Sequence, residues 1–128
     1  MQGESFRDNL EGKTPSGWRK EIYYRYWMNG NESTTANYGI RTDRYKLVFY
    51  YGLPLGKYLS NKMDVTPEWE FYDLQSDPME MKNRYNDPAC VVTIKKLKED
   101  LLKLKKQYGD EDSIYPEMKP VVDQYFWK

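Results

Sequence analysis

Apolar and aromatic positions recur with period two in four stretches and with period three-to-four in one. This alternation predicts a small sheet backed by a single long helix. Residues 20–28 place Ile22, Tyr24 and Tyr26 on one face and Tyr23, Arg25 and Trp27 on the other, in residue types that suit strands. With aromatics on both faces, the segment is expected to be an interior strand or one whose second face is covered. Residues 29–35 read as a polar turn, a second strand runs through Tyr38, Ile40 and Thr42, and Asp43-Arg44 makes a tight connection into a third strand over 45–51. A longer loop from Gly52 to about Pro67 follows, and its Tyr58, Leu59 and Met63 predict that it packs. Residues 69–74 form the fourth strand of a sequential antiparallel meander.

Helix signals flank the sheet. Residues 5–10 predict one or two helical turns before Gly12 and the Thr14-Pro-Ser-Gly17 breaker. Asp77-Pro78-Met79-Glu80 has the order of a capped turn: an Asp cap, a Pro without an amide to lose, and a Glu three residues on. Asp87-Pro88 repeats the start signal and opens the long helix. Ile94, Leu97, Leu101, Leu104 and Tyr108 recur at helical spacing, and Gly109 is placed to end it. About 21 residues of helix span ~30 Å, enough to cross four strands, so Leu97, Leu101 and Leu104 are expected against the sheet. The fold class is therefore α+β, a four-stranded antiparallel sheet packed against a long C-terminal helix. One helix covers one sheet face, so Tyr23, Trp27, Tyr45 and Phe49 are expected to be stranded in solvent unless the Tyr125-Phe-Trp127 tail folds back over them. That tail is too apolar to be simple disordered chain, and docking is expected.

Composition narrows the function. Twenty basic and twenty acidic residues cancel, so no global field favours nucleic acid, which is not expected as a partner. No segment approaches membrane-spanning length, and no membrane span is expected. Thirteen Tyr, four Trp and four Phe supply broad apolar faces with polar tips, which suit half-buried sheets and interfaces. Histidine is absent, which removes imidazole general acids, His-type zinc sites and Ser-His triads from this chain. Asp110-Glu-Asp112 lacks the alternating ligands and turn glycine of a calcium loop, and no phosphate-binding glycine loop occurs. Asn31-Glu-Ser33 fits a glycosylation sequon, meaningful only in a secreted eukaryotic protein.

Two blocks carry the strongest signal: Asn37-Tyr-Gly-Ile-Arg-Thr-Asp-Arg-Tyr-Lys-Leu-Val-Phe-Tyr-Tyr51 and Trp69-Glu-Phe-Tyr-Asp-Leu-Gln-Ser-Asp-Pro-Met-Glu-Met-Lys-Asn83. Together they resemble the C-terminal subdomain of the sulfatase family, in the group with the N-sulfoglucosamine and arylsulfatase-like enzymes. The resemblance divides the chain into a junction segment (1–18), the subdomain of sheet and helix (19–110) and a C-terminal tail (111–128). It also implies a longer, exported parent (periplasmic, lysosomal or extracellular) whose N-terminal catalytic domain is the partner of this region. The parent's reaction would be hydrolysis of a sulfate ester or N-sulfate on a sulfated carbohydrate, with a formylglycine and a calcium-type divalent cation.

Neither cofactor is expected within this chain. Formylglycine arises from Cys or Ser in Cys/Ser-x-Pro-x-Arg, and Cys90 is followed by Val91-Val-Thr-Ile94. The chain alone is expected to turn over no sulfate ester. The candidate substrate-binding residues are Asn37, Arg41 and Arg44, beside Lys46. Asn37 stands where many sulfatases have a histidine near the active-site rim; an amide donates a hydrogen bond but carries no charge and shuttles no proton. Arg41 has the bidentate fork for a sulfate or sugar carboxylate, or for a neighbouring Asp or Glu. The resemblance implies that the region completes the parent's fold and forms one wall of its substrate cleft. The competing readings are a free-standing glycan-binding module, with Tyr and Trp as stacking platforms beside Arg and Lys, and a protein-interaction module.

Overall fold

The computed structural model describes residues 4–27, 35–53, 55 and 65–128. A single helical turn, α1 (Arg7–Leu10), precedes strands β1 (Glu21–Tyr26), β2 (Asn37–Thr42), β3 (Tyr45–Tyr50) and β4 (Glu68–Asp73). The strands form one antiparallel sheet in sequence order, β1-β2-β3-β4, so β1 is an edge and not an interior strand. Thr42 closes the hairpin between β2 and β3, its hydroxyl accepting from the Tyr45 and Arg44 amides at 2.9 and 3.3 Å. The sequon and most of the loop before Pro67, including Tyr58, Leu59 and Met63, lie outside the described residues.

Register fixes which side chains share a face, because alternate residues point to opposite sides. Tyr23, Ile40, Leu47 and Phe71 form one cross-strand row, and Arg25, Tyr38, Phe49 and Trp69 the next. These rows meet helix α2 (Val91–Gln107), which is led in by a tight turn over Pro88–Cys90. Asp87 caps that turn, its carboxylate accepting from the Ala89 amide at 2.9 Å. Leu97 and Leu101 are buried against the sheet and Leu104 packs partly buried beside them.

The tail closes what the helix leaves open. Met118 and Phe126 are both buried. Phe49 stacks on Trp69 with ring centres 4.6 Å apart, and Phe126 meets both rings edge-on at 5.9 and 5.1 Å, an arrangement that aromatic quadrupoles favour. The Trp69 indole also donates to the Tyr125 carbonyl at 3.2 Å. Phe49 is therefore fully enclosed, and Tyr23, Trp27 and Tyr45 pack against the core. The exposed apolar residues of β1 are instead Ile22 and Tyr26, on the opposite face.

The turn at Asp77 is a correction. It does not form a helix and its capping box does not close. The Asp77 carboxylate accepts from the amides of Met81 and Lys82, at 3.0 and 2.9 Å. Glu80 takes a left-handed backbone (φ 55°) and pairs with Lys46 on β3 at 2.6 Å; a strand cation outcompetes the local cap. The chain then returns along β4, where the Asn83 carboxamide accepts from the Phe71 amide (3.0 Å) and the Arg84 amide donates to the Phe71 carbonyl (2.8 Å). These bonds occupy an edge that otherwise presents free donors and acceptors.

Leu101 is fully buried at the centre of the helix face. Leu101→Ala is expected to cost ~2 to 5 kcal/mol, measured by denaturant unfolding. A cost below ~1 kcal/mol would mean that the helix does not rely on this face.

Candidate functional surface

Gly109 determines what happens on the covered face. Its positive φ (66°) ends α2, with the Asp110 amide bonded to the Lys105 carbonyl at 2.8 Å and the Gly109 amide to the Lys106 carbonyl at 3.2 Å. This paired closure is the Schellman arrangement. It aims Asp110 at Arg25 of β1, which donates from one Nη to both carboxylate oxygens at 2.9 Å. Tyr23 and Tyr115 also donate to Asp110. The guanidinium lies 4.2 Å from the Trp27 ring centre and 4.8 Å from that of Tyr115, and its Nε donates to the Tyr51 hydroxyl at 3.2 Å. Burial works to raise the Asp110 pKa, but the bonds from Tyr23 and Arg25 outweigh it and hold the carboxyl below its usual range. Beside it Lys105 pairs with Asp112 at 2.6 Å, and Tyr38 donates to the same carboxylate at 2.9 Å. Burial, then the adjoining carboxylate, push the Tyr23 and Tyr38 phenols upward, so neither is an activated nucleophile. This network gives each of its buried cations an aspartate, leaves Arg25 Nη2 without a hydrogen-bond partner among the described residues, and fastens the tail to the sheet.

A third inward cation is built differently. Lys98 is 3% exposed; it donates to the Tyr85 hydroxyl at 2.8 Å and to the Phe126 carbonyl. Its ammonium is 4.4 Å from the Trp69 ring centre and 5.1 Å from that of Tyr85. Among the described residues no Asp or Glu side chain pairs with it; the Tyr85 hydroxyl donates in turn to the main-chain oxygen of Lys128, and burial pulls the Lys98 pKa down to about 8.

The opposite sheet face is open and polar. Its rows are Ile22, Arg41, Lys46 and Tyr72; Tyr24, Gly39, Val48 and Glu70; and Tyr26, Asn37, Tyr50 and Glu68. Gly39 is required in the middle row. A Cβ there would sit 2.9 Å from the Tyr24 ring and 2.5 Å from the Leu47 carbonyl oxygen, so the absent side chain lets Tyr24 lie across β2. Tyr50 and Tyr72 donate to one oxygen of Glu70 at 3.2 and 3.1 Å; burial first, then that carboxylate, push both phenols up to about 12. The Tyr24 hydroxyl is buried and has no hydrogen-bond partner among the described residues.

The three candidate residues are not gathered at one point. Asn37 and Arg41 share this open face on β2, four residues or about 13 Å apart. Asn37 is buried, its amide donating to the Thr35 carbonyl at 2.7 Å. Arg44 is at the hairpin, where Nε and Nη2 reach the two oxygens of Asp73 at 3.1 and 2.9 Å. Arg41 is exposed, and no carboxylate among the described residues pairs with it. It lines a surface cleft of about 700 Å³ together with Trp18, Arg19 and Lys20 and with two carboxylates, Glu4 and Asp43, the first of them 3.9 Å from Arg19. Sequence reasoning missed Gly39 beneath Tyr24 and the carboxylate of Glu70; period-two alternation, followed across strands, is the signal that would find them.

A formylglycine or calcium site does not fit these residues. Among the described residues no three potential ligands of the His, Cys, Asp or Glu type cluster to hold a metal, and buried Cys90 lacks the neighbours of the nucleophile motif. No helix among the described residues is long and apolar enough to cross a membrane.

The frame of the chain is one antiparallel sheet backed by one long helix, with the helix-side face closed by the tail. Residues 1–107 match the family model described as N-sulphoglucosamine sulphohydrolase, C-terminal, and the chain belongs to that family. It is 38% identical over 125 residues to the N-acetylglucosamine-6-O-sulfatase of Bacteroides thetaiotaomicron, covering 95% of this chain and 20% of that protein. A structure solved in complex with its substrate, D-glucosamine-2-N,6-O-disulfate, superposes with a TM-score of 0.71 at 37% identity, over 87% of this chain and 21% of the other. The phosphonate monoester hydrolase of Agrobacterium radiobacter shares the fold, with a TM-score of 0.59 at 24% identity over 82% of this chain and 20% of that one. The chain thus spans about a fifth of the length of these relatives.

Two outcomes follow. Arg44→Ala is expected to lower Tm because it leaves the buried Asp73 carboxylate unpaired, whereas Arg41→Ala leaves Tm unchanged; equal losses would make Arg41 structural. The folded-state pKa of Lys98 lies below its unfolded value, so the unfolded chain binds the extra proton between about pH 8 and 10. Stability should rise with pH across that window, and the rise should shrink in Lys98→Met, read from Tm against pH.

Proposed function

We propose that this chain is the C-terminal subdomain of a sulfatase that acts on sulfated carbohydrate, completing the parent fold and forming one wall of its substrate cleft. The N-terminal catalytic domain packs on the open sheet face. Support for this packing comes from Ile22 and Tyr26, exposed apolar groups on that face. The catalytic domain carries the formylglycine and the calcium-type divalent cation of the family, which supply the attack on sulfur; no step of that chemistry runs through the residues described above.

Arg41 carries the reading. In a cleft where Glu4 already engages Arg19, Arg41 is an exposed guanidinium that no carboxylate among the described residues pairs with, and it is free to meet an anionic group with two parallel hydrogen bonds. Asn37 sits on the same face and is the proposed neutral member of the set, although its amide is already bonded to the Thr35 carbonyl and only an edge of it reaches solvent. Arg44, half exposed beyond its pair with Asp73, is the third member of the proposed contact set and holds the hairpin that presents the other two.

A chimera tests both halves. The matching fifth of the Bacteroides sulfatase is replaced by this chain, and turnover of glucosamine 6-sulfate is measured. The chimera is expected to be active, the chain alone inactive, and Arg41→Ala in the chimera to lower kcat/KM roughly tenfold or more, since a hydrogen bond to a charged group contributes ~1.5 to 3 kcal/mol. An Arg41→Ala chimera as active as its parent would remove Arg41 from the cleft.

A further inference from the structure

The open face sets two cations side by side. Arg41 on β2 and Lys46 on β3 are register partners, and directly opposed side chains on one face have Cβ atoms ~4.5 to 5.5 Å apart, where like charges repel. Their surroundings differ. Arg41 lines the cleft with Trp18 and Ile22 on the β1 side, whereas Lys46 pairs with Glu80, on the turn after β4, at 2.6 Å. The remaining charges of that cleft, Arg19 and Lys20 against Glu4 and Asp43, cancel. Glu70, the nearer carboxylate of β4 on this face, is occupied by the hydroxyls of Tyr50 and Tyr72. One positive charge, that of Arg41, is left over.

The carboxylate that neutralises Lys46 is held in place at a cost. Glu80 has a left-handed backbone (φ 55°), uncommon for a residue with a Cβ, and its turn is fastened on both sides. The Asp77 carboxylate accepts from the Met81 and Lys82 amides, and Asn83 and Arg84 are bonded to Phe71 of β4. A residue kept in an unfavoured conformation by its surroundings points to a role for that residue. Glycine suits this backbone better but would leave Lys46 without its carboxylate.

We propose that Glu80 is a specificity-determining residue. By engaging Lys46 it limits the Arg41 site to one uncompensated positive charge, which matches the single negative charge of a sulfate ester or N-sulfate. A phosphate monoester carries about −1.5 to −2 at pH 7, and a freed Lys46 would supply the second cation that it needs. Selectivity of this kind works by withholding a contact from the wrong ligand. The inference rests on the proposed contact between Arg41 and the sulfo group, and adds to it the device that selects the charge of that group.

The test uses the Bacteroides chimera, with KM for glucosamine 6-sulfate and Ki for glucosamine 6-phosphate measured on the same preparations. Glu80→Gln is expected to lower Ki about threefold or more, the scale of one partly exposed charge pair, while KM changes by less than about twofold and kcat is unchanged. Glu80→Gly should give the same shift with Tm held or raised, and it decides the matter should Glu80→Gln fold poorly. Adding Lys46→Met to either variant should restore the original Ki. A merely structural Glu80 would instead raise KM and Ki together or lower kcat. That pattern, an unchanged Ki, an equal fall in Ki and KM, or a gain that survives Lys46→Met would overturn the proposal. Arg41→Ala separates the two readings. A KM raised by Arg41→Ala, with the ratio of Ki to KM unmoved in the Glu80 variants, would sink this inference alone; an Arg41→Ala chimera as active as its parent would sink the cleft wall, whatever the Glu80 variants do.

Discussion

The ion pair between Arg25 and Asp110 is the contact on which the arrangement of this chain depends. One partner is on the edge strand and the other is the third residue past the helix, 85 positions away. The pair forms because Gly109 adopts a backbone that closes the helix and turns Asp110 inward. From there the tail is directed across the sheet, bringing Met118 and Phe126 into the core. Phe126 in turn covers Phe49 and Trp69 and gives Lys98 one of its acceptors. Removing one member of a buried pair strands the other charge, which costs ~3 to 5 kcal/mol, so the tail, the aromatic cluster and the Lys98 pocket are energetically linked to this one contact.

Closing one face leaves the other to function. An antiparallel sheet tolerates one solvated face, but this one carries more than solvation needs: exposed Ile22 and Tyr26, a buried hydroxyl on Tyr24 without a partner among the described residues, and a tyrosine pair on Glu70. The chain belongs to the sulfohydrolase C-terminal family and spans about a fifth of its relatives' length; on the reading proposed above, this face is the one that the catalytic domain covers. The same family membership explains why chemistry is sparse here. Among the described residues the chain offers one guanidinium without a carboxylate partner, that of Arg41, beside aromatic surface.

Much of this was legible in the sequence. The four strands, the long helix, its end at Gly109 and the family blocks all rest on local periodicity and spacing, which a sequence displays directly. The faces of β1 were harder to rank, because Ile22, Tyr24 and Tyr26 are as apolar as Tyr23 and Trp27; Arg25, the one charge on the second set, marks the buried side only once Asp110 is known to meet it. Arg44 looked as available as Arg41, yet Asp73, 29 residues on, engages it. Glu80 had the position for a local cap and was drawn to Lys46 instead. In each case a long-range charge partner outweighed a local rule, and such pairs leave no spacing signature.

A double-mutant cycle on Arg25→Met and Asp110→Asn, followed by denaturant unfolding, is the direct test of this dependence. The account predicts a coupling of ~2 kcal/mol or more, with either single variant also releasing the tail, seen as loss of protection around Phe126. A coupling below ~0.5 kcal/mol, with Phe126 still protected in both single variants, would contradict it.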